Sequence, residues 1–206
     1  MFYRPGQDGH GLPRNPFNAL ITPRPIAWIA SRDGDGRDNL APFSFFSGAG
    51  YEPPMVSTAF TGAKLGDQDG EPKDTLANVE ATGVYSLNIV PTAMKDAMNA
   101  SAAHLAAGES EFAAAGVTPV PCEEIDCMRV AESPATFECR LVHVANLPNE
   151  GPGRNATIFG QVVGIHISDR ILKDGFVDPA SYQPLARMGY LDYATITEVF
   201  TMKRPD

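Results

Sequence analysis

Short apolar or alternating runs, separated by turn residues, make up most of the hydrophobic pattern of this chain. In the clearest run, residues 84–90, apolar Tyr85 and Leu87 alternate with polar Ser86 and Asn88. This period of two is typical of a strand with one buried face and one wetter face. Gly, Pro and Asp border the runs, as expected at strand ends. The pattern predicts strands at residues 26–31, Pro54–Phe60, 84–90, 136–145, 157–167 and 193–202.

Three predicted helices interrupt the strands. Residues 74–82 and 92–107 each begin at an Asp or Thr that can cap a helix. Each is followed by a glycine, Gly83 or Gly108, that can end it. A third, shorter helix is expected at residues 109–115.

Turn residues complete the prediction of the fold class. Residues 32–37 contain two Asp-Gly steps, which favour a hairpin turn because Gly adopts a positive φ without steric cost. The Gly- and Pro-rich stretch 148–155 predicts a long loop between two strands. Many short strands with few helices indicate a barrel or sandwich whose open ends the helices cover. No internal repeat or linker interrupts this pattern, so we expect one domain over residues 1–206.

Composition narrows the function classes. A chain of 206 residues can bury one substantial core, and 43% hydrophobic with 20% charged residues is ordinary for a folded protein. The formal net charge of −9 disfavours nucleic acid as a partner, because that affinity rests on Lys and Arg neutralising phosphates.

The lengths of the apolar runs and the number of cysteines bear on where in the cell the protein is found. No apolar run approaches the roughly 20 residues that span a bilayer, and the first residues lack the apolar core of a secretory signal. We therefore expect no membrane association and a cytoplasmic location. Three cysteines, Cys122, Cys127 and Cys139, fit reduced structural thiols better than a zinc site, which normally needs four ligands.

Four segments of the chain form a recognisable set: residues 22–28 (TPRPIAW), 39–46 (NLAPFSFF), 73–78 (KDTLAN) and 160–167 (GQVVGIHI). Together they resemble the flavin reductase-like family that has the FMN-binding split barrel and includes flavoredoxin. The resemblance implies a mainly β fold with short helices, arranged as a Greek-key-like antiparallel split barrel. It further implies a homodimer with FMN near the subunit interface. Residues 62–72, rich in Gly and Asp, read as an insertion relative to this family.

FMN carries a dianionic phosphate, for which the sequence offers a helix start. Lys73, Asp74 and Thr75 open a predicted helix, where free backbone N–H groups and the helix dipole favour anions. A capped surface helix with one solvated lysine is the alternative interpretation. Ser57 and Thr58, near the end of a strand, are candidates for the phosphate or ribityl chain, or else for hydrogen bonds to neighbouring backbone.

The isoalloxazine ring needs flat apolar faces and fixed polar groups. Candidates are Asn39, Ala41, Pro42, Phe43 and Ser44, although core packing explains at least one phenylalanine of this segment. A turn at Pro23, Arg24 and Pro25, followed by Ile26, would hold backbone groups rigidly against the ring edge.

Charged and titratable candidates complete the predicted site. Arg24 or Arg187 is a candidate cation for the N1–C2=O region, where the reduced ring gathers negative charge. His166 is a candidate partner of the cofactor or nicotinamide, or else a structural histidine. Residues 185–193 also resemble a family signature and are a candidate flap over the ring.

These features predict an FMN-binding oxidoreductase, of the NAD(P)H-dependent flavin reductase type. No catalytic residue is assigned, because the cofactor performs the hard chemistry. No Gly-x-Gly-x-x-Gly fingerprint follows a strand, so NAD(P)H is expected to dock openly on the flavin. The alternatives are a flavoredoxin-like electron carrier reduced by a protein partner, and a noncatalytic FMN-binding protein.

Overall fold

The computed structural model describes residues 1–63, 70–103, 105 and 110–205, which form a mainly antiparallel β structure with short helices. The strands are β1 Arg24–Pro25, β2 Ala27–Arg32, β3 Asp38–Phe43, β4 Phe46–Tyr51, β5 Pro54–Phe60, β6 Val84–Ile89, β7 Pro119–Pro121, β8 Met128–Val130, β9 Ala135–Leu147, β10 Asn155–Ile167, β11 Leu172–Lys173, β12 Phe176–Val177, β13 Leu185–Arg187 and β14 Tyr193–Thr195. The helices are α1 Phe17–Leu20, α2 Asp74–Thr82, α3 Lys95–Ala100, α4 Glu111–Ala115 and α5 Pro179–Tyr182, with 3-10 turns at Thr92–Met94 and Asp169–Ile171.

Seven strands form one antiparallel sheet in the order β3-β2-β6-β9-β10-β5-β4. The long pair β9 and β10 contains two register shifts, which bend a sheet. The edge strands β3 and β4 follow each other along the chain but lie at opposite ends of this order. Since β3 also contacts β5 next to the other edge, the sheet curls into a barrel that is split between β3 and β4. The predicted fold class is confirmed.

Two hydrophobic cores occupy the two faces of the sheet. In one core, Leu76 and Val79 of α2 pack with Ile29, Tyr85 and Ile158, all at most 1% exposed. Burial of one such aliphatic side chain is worth about 1.5–3 kcal/mol, so Leu76 and Val79 hold the short α2 helix on the sheet. This attachment fixes where the first turn of α2 lies.

The second core lies under α3, α4 and the β7–β8 hairpin. Met98, Phe112 and Val130 from these elements cluster with Trp28 and Leu40 of the sheet. The central strands are therefore covered on both faces.

This covering makes the prediction of a wetter face on β6 wrong. Ser86 and Asn88 are fully buried, because β8 lies over them. Ser86 Oγ donates a hydrogen bond to the Met128 carbonyl at 2.7 Å. Asn88 Nδ2 donates to the Trp28 carbonyl at 3.0 Å, and Asn88 Oδ1 accepts from the Val130 amide at 3.0 Å. Satisfied hydrogen bonds let these polar side chains lie inside the protein.

The helix predictions hold in part. The helix Asp74–Thr82 is confirmed to the residue, and Gly83 ends it with φ of +74°. The second helix is shorter than predicted, since α3 ends at Ala100 and residues 107 and 108 lie outside the described part of the chain.

Hydrogen bonds at Ser101 account for the early end of α3. Its hydroxyl donates to the Met98 carbonyl at 2.8 Å and accepts from Trp28 Nε1 at 2.8 Å. The third predicted helix is α4, which starts at Glu111; residue 109 is not described.

Strand boundaries agree with prediction along most of the sheet. The C-terminal strand is the exception: it was expected over residues 193–202, but β14 ends at Thr195. Beyond it, Ile196 donates one backbone hydrogen bond to Pro184, and Val199, Phe200 and Met202 are exposed. Their apolar pattern resembled a strand, but no neighbouring strand pairs with them in the described chain.

The predicted turn and loops are present. Asp33 N donates to the Arg37 carbonyl at 3.0 Å, and Gly36 has φ of +84°, so this segment is a hairpin turn. A loop follows β9 and runs to the start of β10 at Asn155. Most of the insertion-like stretch 62–72 lies outside the described residues, because 64–69 are not described.

All three cysteines are free thiols, as predicted. Burial raises the pKa of Cys127 to about 11 and that of Cys139 to about 12. Both thiols are therefore protonated and unreactive near neutral pH. In the described part of the chain, no helix is long and apolar enough to cross a membrane.

Candidate functional site

The split between β3 and β4 is where most of the predicted site residues meet. Two clefts open here and share Pro42, Phe43 and Lys73. We call the first, of about 340 Å³, the helix cleft, because it lies at the start of α2. We call the second, of about 200 Å³, the loop cleft, because it includes Ser44 and Phe45 between the edge strands.

Other lining residues come from several elements. The helix cleft is also lined by Asn39, Leu40, Ala41, Asp74, Thr75, Ser101, Ala102, Ala103 and Glu111. The loop cleft is also lined by Asn18, Arg24, Ala59 and Thr61.

Lys73 is the cation that both clefts share. It is half-buried, its Nζ lies 5.8 Å from the centre of the Phe43 ring, and it forms no ion pair with any described residue. Burial lowers its pKa, and no charge of a described residue is among the causes. An anionic ligand would stabilise the charged form of such a half-buried ammonium.

The start of α2 adds backbone donors to this cation. Lys73 is the N-cap residue, and its side chain makes no capping hydrogen bond to the helix. The backbone amides of the first turn of α2, beside the cleft, therefore receive no side-chain cap from the N-cap residue. Two carboxylates, Asp74 and Glu111, also line the cleft, and each already has a hydrogen-bonding or electrostatic partner in the chain.

A polar network orients the helix cleft. Asn39 Nδ2 donates to Thr75 Oγ1 at 2.8 Å, which ties β3 to the first turn of α2. One turn later, Asn78 Nδ2 donates to Ser31 Oγ at 3.1 Å. Thr75 is 1% exposed, so its hydroxyl is fixed in place by this network.

Arg24 dominates the loop cleft. It is only 7% exposed, its Nη1 donates to the carbonyls of Asn18 (2.6 Å) and Ile21, and its Nη2 donates to that of Met188 at 3.0 Å. The guanidinium also lies 5.6 Å from the centre of the Phe45 ring. Burial, and then the charge of Arg187, lowers the pKa of Arg24.

These contacts make Arg24 a clamp that joins the N-terminal segment to the segment after β13. Of the turn predicted at Pro23, Arg24 and Pro25, Pro23 lies at a bend after a cis peptide bond, whereas Arg24 and Pro25 form the short strand β1, paired with β13. Pairing with β13 favours an extended backbone over a turn at this point. Pro23 and Pro25 are exposed, whereas Ile26 belongs to the second core.

Phe43 both packs in the core and lines the candidate site. Its ring packs edge-on against Phe60, with centroids 4.6 Å apart, and it is only half-buried because its remaining surface lines both clefts. Asn39, Ala41, Pro42 and Ser44 are likewise half-buried at the split.

Ser57 and Thr58 point to opposite sides of β5. Thr58 is fully buried, and its Oγ1 has no hydrogen-bond partner among the described atoms. Ser57 is half-buried and donates to the Ser47 carbonyl at 3.4 Å. Neither lines the two clefts, although their neighbour Ala59 does.

His166 lies away from the clefts. Its Nε2 is 2.5 Å from Oε1 of Glu138, a fully buried carboxylate that also accepts from the amides of Glu123 and Glu124 at 2.8 and 2.7 Å. These contacts give His166 a place in a structural cluster at the β7–β8 hairpin.

Arg187 lies in a third cleft, between α3 and β13. It is the register partner of Arg24 in the β1–β13 pair, and its guanidinium lies 4.5 Å from the centre of the Tyr193 ring. The predicted flap, residues 185–193, thus starts in a strand that borders the site.

Sequence reasoning missed several residues at the helix cleft. Ser31 accepts hydrogen bonds from Asn78 and from Asn39, the residue that donates to Thr75. Ser101 brings the end of α3 to the cleft. The spacing of Thr75 and Asn78, three residues apart on one helix face, was a usable signal. Nothing local to Ser101 indicated its contact with Trp28.

Comparison with known proteins identifies a family for this fold. The model of the flavin reductase like domain matches residues 19–186. An uncharacterized protein of Halalkalibacterium halodurans is 34% identical over 90% of this chain and 87% of its own.

Two solved structures have the same fold. Nitrilotriacetate monooxygenase component B from Bacillus cereus is 27% identical, with a TM-score of 0.86 over 98% of this chain and 99% of that one. Flavoredoxin of Desulfovibrio vulgaris (Miyazaki F) is 20% identical, with a TM-score of 0.74 over 88% of this chain and 91% of that one, a likeness in fold alone.

Proposed function

This chain belongs to the family of the flavin reductase like domain, and on that premise we propose that it binds FMN noncovalently and oxidises NAD(P)H. The family makes it a flavin-related oxidoreductase. The observation that supports FMN in particular is Lys73, a half-buried cation at a helix start that lies open to a cleft.

The helix cleft suits a phosphate. Backbone amides at a helix N-terminus and the helix dipole both favour an anion, and α2 is anchored by Leu76 and Val79 so that these groups are held in place. Lys73 adds a charge-assisted hydrogen bond, and the fixed Thr75 hydroxyl adds a polar neighbour. The carboxylates of Asp74 and Glu111 oppose an anion, so the site depends on Lys73.

The loop cleft suits the ring. It joins the helix cleft through Pro42 and Phe43, and it presents an aromatic face at Phe45 beside the buried cation Arg24. When bound, the flavin supplies the ring that accepts a hydride. A fixed cation favours the reduced, more negative ring, and the three carbonyls that hold Arg24 keep it from moving.

Steady-state oxidation of NADH and NADPH, with FMN-loaded protein and with added free FMN, tests the activity. The proposal predicts oxidation of at least one nucleotide that depends on bound FMN. FMN-loaded protein that oxidises neither nucleotide would contradict the reductase proposal. If it instead accepts electrons from a redox protein, it is a flavoredoxin-like carrier.

A further inference from the structure

The third cleft, of about 360 Å³, lies between α3 and the β13–β14 segment. We call it the α3 cleft. Two cations line it, Lys95 at the first residue of α3 and Arg187 at the end of β13, together with one carboxylate, Asp96. Leu191 and Tyr193 line it too and are 75% and 41% exposed. The cleft therefore combines positive charge with exposed apolar and aromatic surface.

Each cation has only local partners. Lys95 Nζ lies 3.2 Å from the carboxylate of Asp96, and both side chains are largely exposed. Arg187 donates to the Tyr190 carbonyl and lies over the Tyr193 ring, with no ion pair to a described residue. An exposed ion pair such as Lys95–Asp96 is worth little, so Lys95 is free to bind another anion.

The α3 cleft borders both the loop cleft and the helix cleft. Arg187 is paired with Arg24 of the loop cleft across β1 and β13. Residues of α3 line the α3 cleft, and Ser101 immediately after α3 lines the helix cleft. Two arginines side by side repel each other, and the repulsion contributes to the lowered pKa of Arg24. An anion next to Arg187 would relieve this repulsion.

We propose that the α3 cleft binds the adenosine diphosphate half of NAD(P)H, with Lys95 and Arg187 contacting its phosphates. This inference rests on the proposed function for the reaction that the dinucleotide undergoes. The diphosphate is common to NADH and NADPH and carries the negative charge that two cations can match. Leu191 and Tyr193 offer the apolar surface that an adenine ring covers.

A second FMN molecule, bound as substrate, presents a phosphate and an aromatic ring as well. The diphosphate is favoured because it has two phosphates for two cations. The experiment must therefore distinguish binding of the dinucleotide from binding of a second FMN.

Calorimetric titration of FMN-loaded protein with ADP tests the proposal directly, because ADP has no nicotinamide and requires no redox step. We expect ADP to bind. Lys95→Ala should lower the affinity for ADP about tenfold or more, the range expected for one lost charge-assisted hydrogen bond. Asp96→Asn should strengthen ADP binding, because it removes the competing carboxylate. Lys173→Ala, the same charge loss on the exposed strand β11, should leave ADP affinity unchanged.

Steady-state kinetics provide a second readout on the same variants. Lys95→Ala should raise KM for the nucleotide with little change in kcat, and ADP should compete with the nucleotide. FMN affinity should stay within about twofold of wild type, since Lys95 lines neither the helix cleft nor the loop cleft.

Three results would overturn the proposal: no ADP binding at millimolar concentration, equal ADP affinity in Lys95→Ala and wild type, or loss of affinity in both Lys95→Ala and Asp96→Asn. Binding of a second FMN that depends on Lys95 would overturn it as well and would assign the cleft to flavin. The proposed function fails separately, through absence of FMN binding or of nucleotide oxidation.

Discussion

Lys73 is the residue on which the account of the flavin site depends. Its ammonium loses part of its hydration at the split of the barrel, and this burial lowers its pKa. Proteins offset such a cost with a partner of opposite charge. Since no described residue forms an ion pair with it, a bound phosphate is the partner that we infer.

Replacement of this side chain tests that inference at the residue scale. Lys73→Ala should lower the affinity for FMN roughly 10- to 150-fold, because a charge-assisted hydrogen bond is worth about 1.5–3 kcal/mol. Riboflavin affinity should change little, since riboflavin has no phosphate. Flavin fluorescence titration of both ligands measures the difference.

Lys73→Arg is the matched control, because it keeps the charge and should retain most of the FMN affinity. Equal weakening of FMN and riboflavin by Lys73→Ala would instead assign Lys73 to the shape of the cleft and remove it from phosphate binding.

Candidate site residues are predictable where they carry a local signal. Lys73 and Thr75 are such candidates because a helix start has a recognisable pattern, and both line the helix cleft. The adjacent strand residues Ser57 and Thr58 were proposed together, although a period of two sends neighbours to opposite faces. The contacts of His166 with Glu138, far away in sequence, depend on how β9 and β10 pair. No local pattern shows them.

At the scale of elements, a buried carboxylate fastens the β7–β8 hairpin to the sheet. Glu138 on β9 accepts hydrogen bonds from the amides of Glu123 and Glu124 and contacts His166. Burial alone would raise the pKa of Glu138, but these hydrogen bonds outweigh burial and lower it below the usual 4.5. The folded protein therefore holds this carboxylate ionised more strongly than the unfolded chain does.

Proton linkage turns this contact into a prediction about stability. A lowered folded-state pKa adds stability above the unfolded pKa, and that stability is lost as pH falls below about 4.5. Glu138→Gln should lower the free energy of unfolding near neutral pH and should flatten its decline in acid. Urea unfolding at several pH values measures both effects.

The control is Glu123→Gln, which alters an exposed side chain of the same hairpin connection. The free energy of unfolding of this variant should depend on pH as that of the wild-type protein does. A Glu138→Gln profile parallel to that of wild type would show that this contact carries no proton linkage.

Elements were predictable where local pattern and tertiary packing agree. The strands of the sheet and the helix Asp74–Thr82 combine clear periodicity with clear turn residues. The C-terminal strand was overextended because apolar Val199 and Phe200 fit a strand pattern but find no neighbouring strand in the described chain. Ser86 and Asn88 look like a solvent face in sequence, and only the distant β8 strand makes that face a buried one.

At the scale of the whole molecule, topology creates the site. The split appears because β3 and β4 are consecutive in sequence yet lie at opposite ends of the sheet order. Three separate elements, β1, β3 and the start of α2, then meet at the opening. The resemblance to a known family implied this arrangement, whereas strand periodicity alone left a barrel and a sandwich open.

We further predict a homodimer, as family resemblance implies. Exposed apolar side chains on the long strands β9 and β10, among them Val142, Leu147 and Ile165, are consistent with a covered surface. Light scattering of the FMN-loaded protein should give about twice the 22.1 kDa of one chain. A monomer that binds FMN would show that one chain completes the site.

FMN binding, with recognition of the phosphate at the split of the barrel, is the proposal on which the others depend. Parallel calorimetric titrations of the wild-type protein with FMN and with riboflavin test it most directly. We expect one FMN per chain and weaker riboflavin binding, by roughly tenfold or more for one lost charge-assisted contact. Absence of FMN binding, or equal affinity for FMN and riboflavin, would contradict it.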